Sequence, residues 1–290
     1  MFINYKKLIY IKIYIFIILF LNDFLSNSKP FFIKIYMLNL VLIGAGNLGF
    51  NFYREFSRSK KINIIQWYNR KLRVIKFAQK NTSIIDDLKN LKQADIYIVC
   101  IKDDSIKKII QKINLKGLIV HTSGFCSIKE IDSKKRRGVF YPVQSFVKSR
   151  KISFKNVPIC IEAENKKDLY TLDQISNYLG AKTYIINSEQ RKVVHLAAVF
   201  VNNFSNHLFT IAKEILDSKK IPFDIFHSII WETSNKAIEI GPEKSQTGPA
   251  KRGDEKTIVE HEKFLRNKEY KNLYLIITQL IEKKYESRKL

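Results

Sequence analysis

Leu40-Val41-Leu42-Ile43-Gly44-Ala45-Gly46-Asn47-Leu48-Gly49 sets four consecutive apolar residues directly before a G-x-G-x-x-G turn. A short, wholly apolar run of this kind suits a central parallel strand buried on both faces. The turn predicts a helix that opens at Asn47 and runs to about residue 59. Each glycine then has a mechanical task. Gly44 makes the tight turn, Gly46 lets a pyrophosphate approach the backbone, and Gly49 lets the helix pack closely on the strand. Free amides at the helix start receive phosphates. Gly44, Ala45, Gly46, Asn47, Leu48 and Gly49 are therefore the candidate dinucleotide loop, against the plain alternative of a glycine-rich turn.

Upstream of this strand lies a different kind of sequence. Residues 8–21 are apolar apart from Lys12 and follow Lys6 and Lys7. The run is shorter than the ~20 apolar residues that span a bilayer, and no small-residue cleavage site follows. Met37 stands just before the strand, so residues 1–36 read as a leader from a misassigned start, with an apolar membrane anchor as the alternative. The net charge of +24 would point to nucleic acid or an anionic membrane, but the 51 Lys and Arg residues are scattered instead of gathered in one tract. Solvated surface is the simpler reading, and the cluster Lys134-Lys135-Arg136-Arg137 beside turn residues reads as loop. Cys100, Cys126 and Cys160 form no C-x-x-C pair and fit reduced thiols of a cytoplasmic protein, with no metal site.

Downstream, strand-like runs at 62–67, 96–101 and 118–121 alternate with helix-length stretches, one of them at 104–113, which predicts a doubly wound parallel sheet. Runs at 157–162 and 182–186 flank a helical pattern with Leu169, Leu172, Ile175 and Leu179 on one face, one more strand-helix-strand unit. At Asn187-Ser188-Glu189-Gln190 the character changes: a helix cap with Gln three residues on opens a long pattern of period near 3.6. Helical patterns continue at 223–240, 254–265 and 273–285.

The second strand should end beside the adenosine ribose, where an acidic residue would select NAD. Here the chain reads Tyr68-Asn69-Arg70-Lys71. With no carboxylate present, Arg70 and Lys71 can neutralise a 2′-phosphate and Asn69 can donate to it, which favours NADP over NAD. Ile101 and Ser123 stand at the ends of two further strands and join the candidate cofactor contacts. Asp104 reads as the cap of its helix. His121-Thr122-Ser123-Gly124 reaches the same sheet edge and serves either nicotinamide, substrate or a turn.

On the helix that follows residue 187, α-helical spacing puts His195, Asn202 and Asn206 on one stripe, with Arg191 a turn earlier. Polar groups on an otherwise apolar helix are costly to bury without purpose. The alternative is a structural hydrogen-bond network. Farther on, Arg252 follows the 248–249 Gly-Pro turn and can clamp an anion. Asp254 reads as a helix cap. Glu232 and Lys236 are spaced as an ordinary helical ion pair.

These motifs together resemble a group of bacterial proteins that join a Rossmann-like domain to a C-terminal domain of unknown function, often labelled NADP oxidoreductases. The carriers are the 44–49 loop, His121-Thr122-Ser123-Gly124, Tyr141-Pro142-Val143-Gln144-Ser145-Phe146, the helix holding His195 and His207, Glu232-Thr233, and Gln246-Thr247-Gly248-Pro249-Ala250 with Arg252 and Asp254. The match runs from about Met37 to the C-terminus. More distantly the chain is similar to pyrroline-5-carboxylate reductase, deazaflavin-dependent NADP reductases, and the 6-phosphogluconate and 3-hydroxyisobutyrate dehydrogenases. In the sugar-acid dehydrogenases a catalytic lysine lies near the start of the first long helix of the second domain, the neighbourhood of Lys192 and His195.

The expected molecule is an α/β chain. A doubly wound parallel Rossmann sheet over residues 37–186 binds NADP. An all-helical domain over residues 187–290, like the C-terminal domain of 6-phosphogluconate dehydrogenase, binds substrate and forms a homodimer. Hydride transfer would act on a small carbonyl, imine or hydroxy compound held between the domains. His195, with Lys192 as substitute, would move the proton, an imidazole ordinarily titrating near neutrality. Asn202 and Asn203 would orient the substrate. His121, Asn206, Glu232 and Arg252 would contact it, Arg252 taking an anionic group. The rival reading is an NADP-binding sensor without turnover.

Overall fold

The computed structural model describes residues 37–286. The leader and the anchor reading of residues 1–36 lie outside the described residues. The described chain divides into two compact units, one ending at His195 and the other beginning at Leu196.

In the first unit the apolar run becomes β1 (Leu38–Ile43), and the glycine turn leads into α1 (Asn47–Phe56). The strands β2 (Ile62–Tyr68), β3 (Ser83–Ile85), β4 (Ile96–Val99), β5 (Leu118–His121), β6 (Arg136–Pro142), β7 (Pro158–Ala163) and β8 (Lys182–Ile185) follow. They form one sheet in the order β3-β2-β1-β4-β5-β6-β7-β8. All pairings are parallel except β6 with β7. The sheet is therefore mostly parallel, with its strand order reversing direction between β1 and β4.

Alternation along β1 divides the core. Leu40 and Leu42 face a cluster that includes Phe52, Phe56, Trp67 and Phe140, while Val41 and Ile43 face Tyr97, Ile106, Ile110 and Ile119. Burial on both faces explains why β1 and β4 carry no polar residue between Leu40 and Ile43 or between Ile96 and Val99. Helix α2 (Asp103–Ile110) lies on one side, and α3 (Lys166–Tyr178) bridges β7 and β8.

Two local readings change. Arg136 and Arg137 are not loop cations but open β6, where Arg136 donates through Nε and Nη2 to one oxygen, Oδ1, of the buried Asp168 and Arg137 pairs with Glu164. Two adjacent cations masked a strand because each is satisfied by a carboxylate from the β7–α3 region, which periodicity does not show. Asp104 is not the cap of α2 either. That position belongs to Lys102, and Asp103 and Asp104 sit in the first turn, where carboxylates favour the helix dipole.

The helical region opens at α4 (Ser188–Ala198) with a reciprocal cap: the Asn187 side chain accepts from the Gln190 amide at 2.9 Å, and Gln190 returns the bond to the Asn187 amide at 3.0 Å. A π-helical segment, Val199–Phe204, connects α4 to α5 (Ser205–Asp217). The second unit continues with α6 (His227–Glu239), α7 (Pro242–Ser245), α8 (Pro249–Arg252), α9 (Glu255–Phe264) and α10 (Lys268–Glu286). Asp254 caps α9 by accepting from the Thr257 amide and hydroxyl, which holds its carboxyl below the usual range. Among the described residues no helix is long and apolar enough to cross a membrane.

Candidate functional site

The crevice at a reversal of strand order is where open parallel sheets bind ligands. Here it holds a cavity of about 720 Å³. The 44–48 turn, Asn69, Arg70, Ile101 and Ser123 all line it.

The three glycines do different things. Gly44 sits at φ +107°, and a Cβ there would lie 2.2 Å from the Cys100 carbonyl oxygen. A Cβ on Gly49 would lie 2.3 Å from the Gly44 carbonyl oxygen, so its smallness serves the packing of α1 on the turn. Gly46 has an ordinary φ of −75°, and a Cβ on it would meet nothing within 4 Å. The fold itself does not require glycine there. The open space in front of Gly46 is what a close-approaching pyrophosphate would use, and α1 begins without any side-chain cap on its free amides. A phosphate-bearing dinucleotide fits these residues.

The polar rim agrees with that fit. Arg70, Lys102, Lys108 and Lys112 line the cavity, and Asp103 is the one acidic residue among its lining. Lys71 is exposed and lies outside the lining. Asn69 is engaged within the protein: its Oδ1 accepts from the Ala45 amide at 3.3 Å and its Nδ2 donates to the Lys71 carbonyl at 2.9 Å. It braces the glycine turn against the end of β2.

The loop after β5 is tightly determined. Ser123 donates to Asp103 at 2.8 Å while its Oγ accepts from the amides of Phe125 and Cys126. His121 does not line the cavity. It is fully buried, its Nε2 lies 3.2 Å from the Ser127 carbonyl, and its Nδ1 accepts from the Ser123 amide. Burial, aided by the Arg191 charge, pushes its pKa down to about 4, so it is a neutral brace of the loop.

Arg191 is likewise structural. Its guanidinium is fully buried, pairs with Glu162 of β7 and donates to the carbonyls of Ser123 and Cys126. Ser188 completes the group by donating to Glu162 and accepting from the Ile128 amide. One cation thus locks α4, β7 and the loop after β5 together.

His195 stands beyond this lock. Its ring is half-buried, with Nδ1 3.1 Å from the hydroxyl of Tyr141 on β6. Lys192 pairs with Glu189 at 2.9 Å. The predicted stripe does not continue as drawn: through Val199–Phe204 the helix is π-helical, and Ser205 Oγ donates to the Phe200 carbonyl five residues back. The wider turn changes the angular step between residues, so α-helical spacing no longer aligns His195 with Asn202 and Asn206. Asn202, Asn203 and Asn206 are exposed in the second unit. Glu232 pairs with Lys236 at 3.1 Å, the ordinary helical ion pair, and Arg252 is exposed 3.9 Å from Asp254.

Tyr141, Lys108 and Lys112 had no assigned role in the sequence reading. Tyr141 lies in the 141–146 stretch that carries the family resemblance, but its pairing joins β6 to α4 across 54 residues, which no local spacing reveals.

Fold and site define a dinucleotide-binding α/β domain followed by a helical unit. Residues 39–121 match the family model described as NADP oxidoreductase coenzyme F420-dependent, and residues 157–281 match a domain of unknown function, DUF2520. A Bacteroides fragilis protein described as a putative NADP oxidoreductase is 36% identical, with TM-score 0.78 over 86% of this chain and 99% of that one. The chain belongs to the family that joins these two domains. A Thermotoga maritima protein is 24% identical with TM-score 0.66, covering 87% of this chain and 100% of that one. Plasmodium falciparum pyrroline carboxylate reductase, solved with NADP bound, shares the fold at 12% identity and TM-score 0.54, covering 86% of this chain and 97% of that one. No curated protein matches the chain.

Proposed function

We propose that the protein is an NADP-dependent oxidoreductase acting on a small carbonyl, imine or hydroxy compound. The observation that carries this reading is the loop after β5, which lines the nucleotide cavity through Ser123 and seats His195 against Gly124. One short segment thereby serves both a cofactor site and a titratable ring.

The 44–49 turn and the free amides of α1 would hold the pyrophosphate, and Arg70 with Lys108 and Lys112 would meet the 2′-phosphate. A bound nicotinamide supplies or accepts a hydride. His195 gives a proton to, or takes one from, the reacting heteroatom. Lys192 is the substitute, although its ion pair with Glu189 competes for its charge.

The second unit exposes large apolar side chains, among them Phe200, Val201, Trp231 and Ile238. A second copy of the chain is the proposed cover, since an isologous contact buries the same patch twice. Sedimentation as a monomer at micromolar concentration would remove that part of the reading.

The catalytic test follows NADPH oxidation against a panel of small ketones, imines and anionic carbonyl compounds. With a substrate so found, His195→Gln lowers turnover ~10²-fold while NADPH affinity stays near wild type. Lys192→Met tests the substitute. If neither variant slows turnover, proton transfer lies elsewhere. If NADPH binds tightly but no compound is turned over, the protein is a nucleotide-binding sensor.

A further inference from the structure

Tyr141 and His195 meet under an unusual steric condition. Their rings lie edge to face, centroids 5.9 Å apart, with the Tyr141 hydroxyl 3.1 Å from His195 Nδ1. A Cβ built on Gly124 would fall 2.6 Å from His195 Nδ1, 2.8 Å from its Cγ and 2.8 Å from Tyr141 Cζ. The backbone that passes this close has no room to withdraw, because Arg191 grips the carbonyls of Ser123 and Cys126 on either side of Gly124. A side chain at position 124 must therefore displace the rings and not the loop.

We propose that Tyr141 is a positioning residue for His195: its hydroxyl occupies Nδ1, so proton exchange with the substrate passes through Nε2, and Gly124 is the gap that lets the two rings pair. A phenol hydroxyl both donates and accepts. Its oxygen accepts from Nδ1–H both in the imidazolium and in the neutral ring left when Nε2 gives up its proton, so the ring keeps one orientation and one tautomer through the exchange. Burial raises the Tyr141 pKa above that of a free tyrosine, which keeps the phenol protonated through the cycle. The imidazolium then releases its Nε2 proton to the heteroatom, and solvent restores it.

The catalytic arm rests on the reading of His195 given above, while the pairing itself is measured without a substrate. In full-length protein labelled with nitrogen-15 at histidine, Tyr141→Phe should move the His195 ring resonances, with melting temperature and NADPH affinity near wild type. Unmoved resonances overturn the pairing. With a substrate, Tyr141→Phe should lower kcat about tenfold with KM little changed, the size expected for one hydrogen bond. The double variant Tyr141→Phe/His195→Gln should be no slower than His195→Gln alone, because a residue acting only through another has nothing further to remove. Additive losses mean that Tyr141 meets the substrate itself and overturn the positioning role. Gly124→Ala, which leaves both side chains intact, should match the loss of Tyr141→Phe or exceed it, and full activity there removes the steric half. If His195→Gln alone leaves turnover unchanged, the proposed function fails while the resonance experiment still decides the pairing.

Discussion

In the 44–49 turn the decisive contacts are backbone against backbone, Gly44 on the Cys100 carbonyl and Gly49 on the Gly44 carbonyl. Around His195 they are side chain against side chain and rings against the Gly124 backbone, assembled from β6, the loop after β5 and α4. The first region tolerates almost no change because peptide groups are tied into the sheet: Gly44 donates to the Tyr68 carbonyl and Cys100 to the Ile43 carbonyl. The second is held from beneath, by the buried Arg191–Glu162 pair that grips the loop. A rigid turn and a braced ring thus rest on two kinds of packing.

The sharpest way to break this contrast is to remove the brace. Arg191→Met leaves Glu162 in a mostly buried site without its cation and frees two loop carbonyls. Breaking a buried pair in this way should destabilise the protein by about 3–5 kcal/mol in denaturant titrations. A loss under about 1 kcal/mol would mean that the loop after β5 is held by something else.

Next in size is a pH effect from His121. Its pKa falls to about 4 in the fold and returns to the ordinary histidine value of about 6.5 on unfolding, so the unfolded chain binds the extra proton in that window. The stability it contributes is present above pH 6.5 and is lost as pH falls towards 4, on the order of 3 kcal/mol in all. His121→Asn should flatten that slope in urea titrations made across the window.

Gly49→Ala and Gly46→Ala sharpen the contrast within the turn itself. The first should cost about 1–3 kcal/mol of stability, because a methyl group meets a carbonyl. The second should leave the melting temperature unchanged yet weaken NADPH binding about tenfold or more by calorimetry, since its Cβ occupies only the open approach. Equal effects at the two positions would erase the distinction between packing and binding glycines.

The smallest effect expected is on cofactor preference. NADPH should bind more tightly than NADH, and Arg70→Asp should reduce that preference about tenfold or reverse it. Equal affinities in the wild type would show that the cations at this rim do not select the 2′-phosphate.

The sequence by itself determined the elements whose causes are local. The apolar run and three spaced glycines specify β1, the turn and α1, because burial on both faces and steric need at single backbone positions are written in adjacent residues. The Asn187–Gln190 cap and the Asp254 cap were legible for the same reason. Tertiary structure alone decided what His121, Arg191 and Tyr141 are. Histidine and arginine carry the same side chains in a site as in a brace, and only burial and partners tell the two apart: His121 saturated within its loop, Arg191 locked to Glu162, Tyr141 set against His195. The helical stripe failed for a related reason. A period of 3.6 assumes an unbroken α-helix, and the π-helical turn at Val199–Phe204 changes the step without any glycine or proline to announce it.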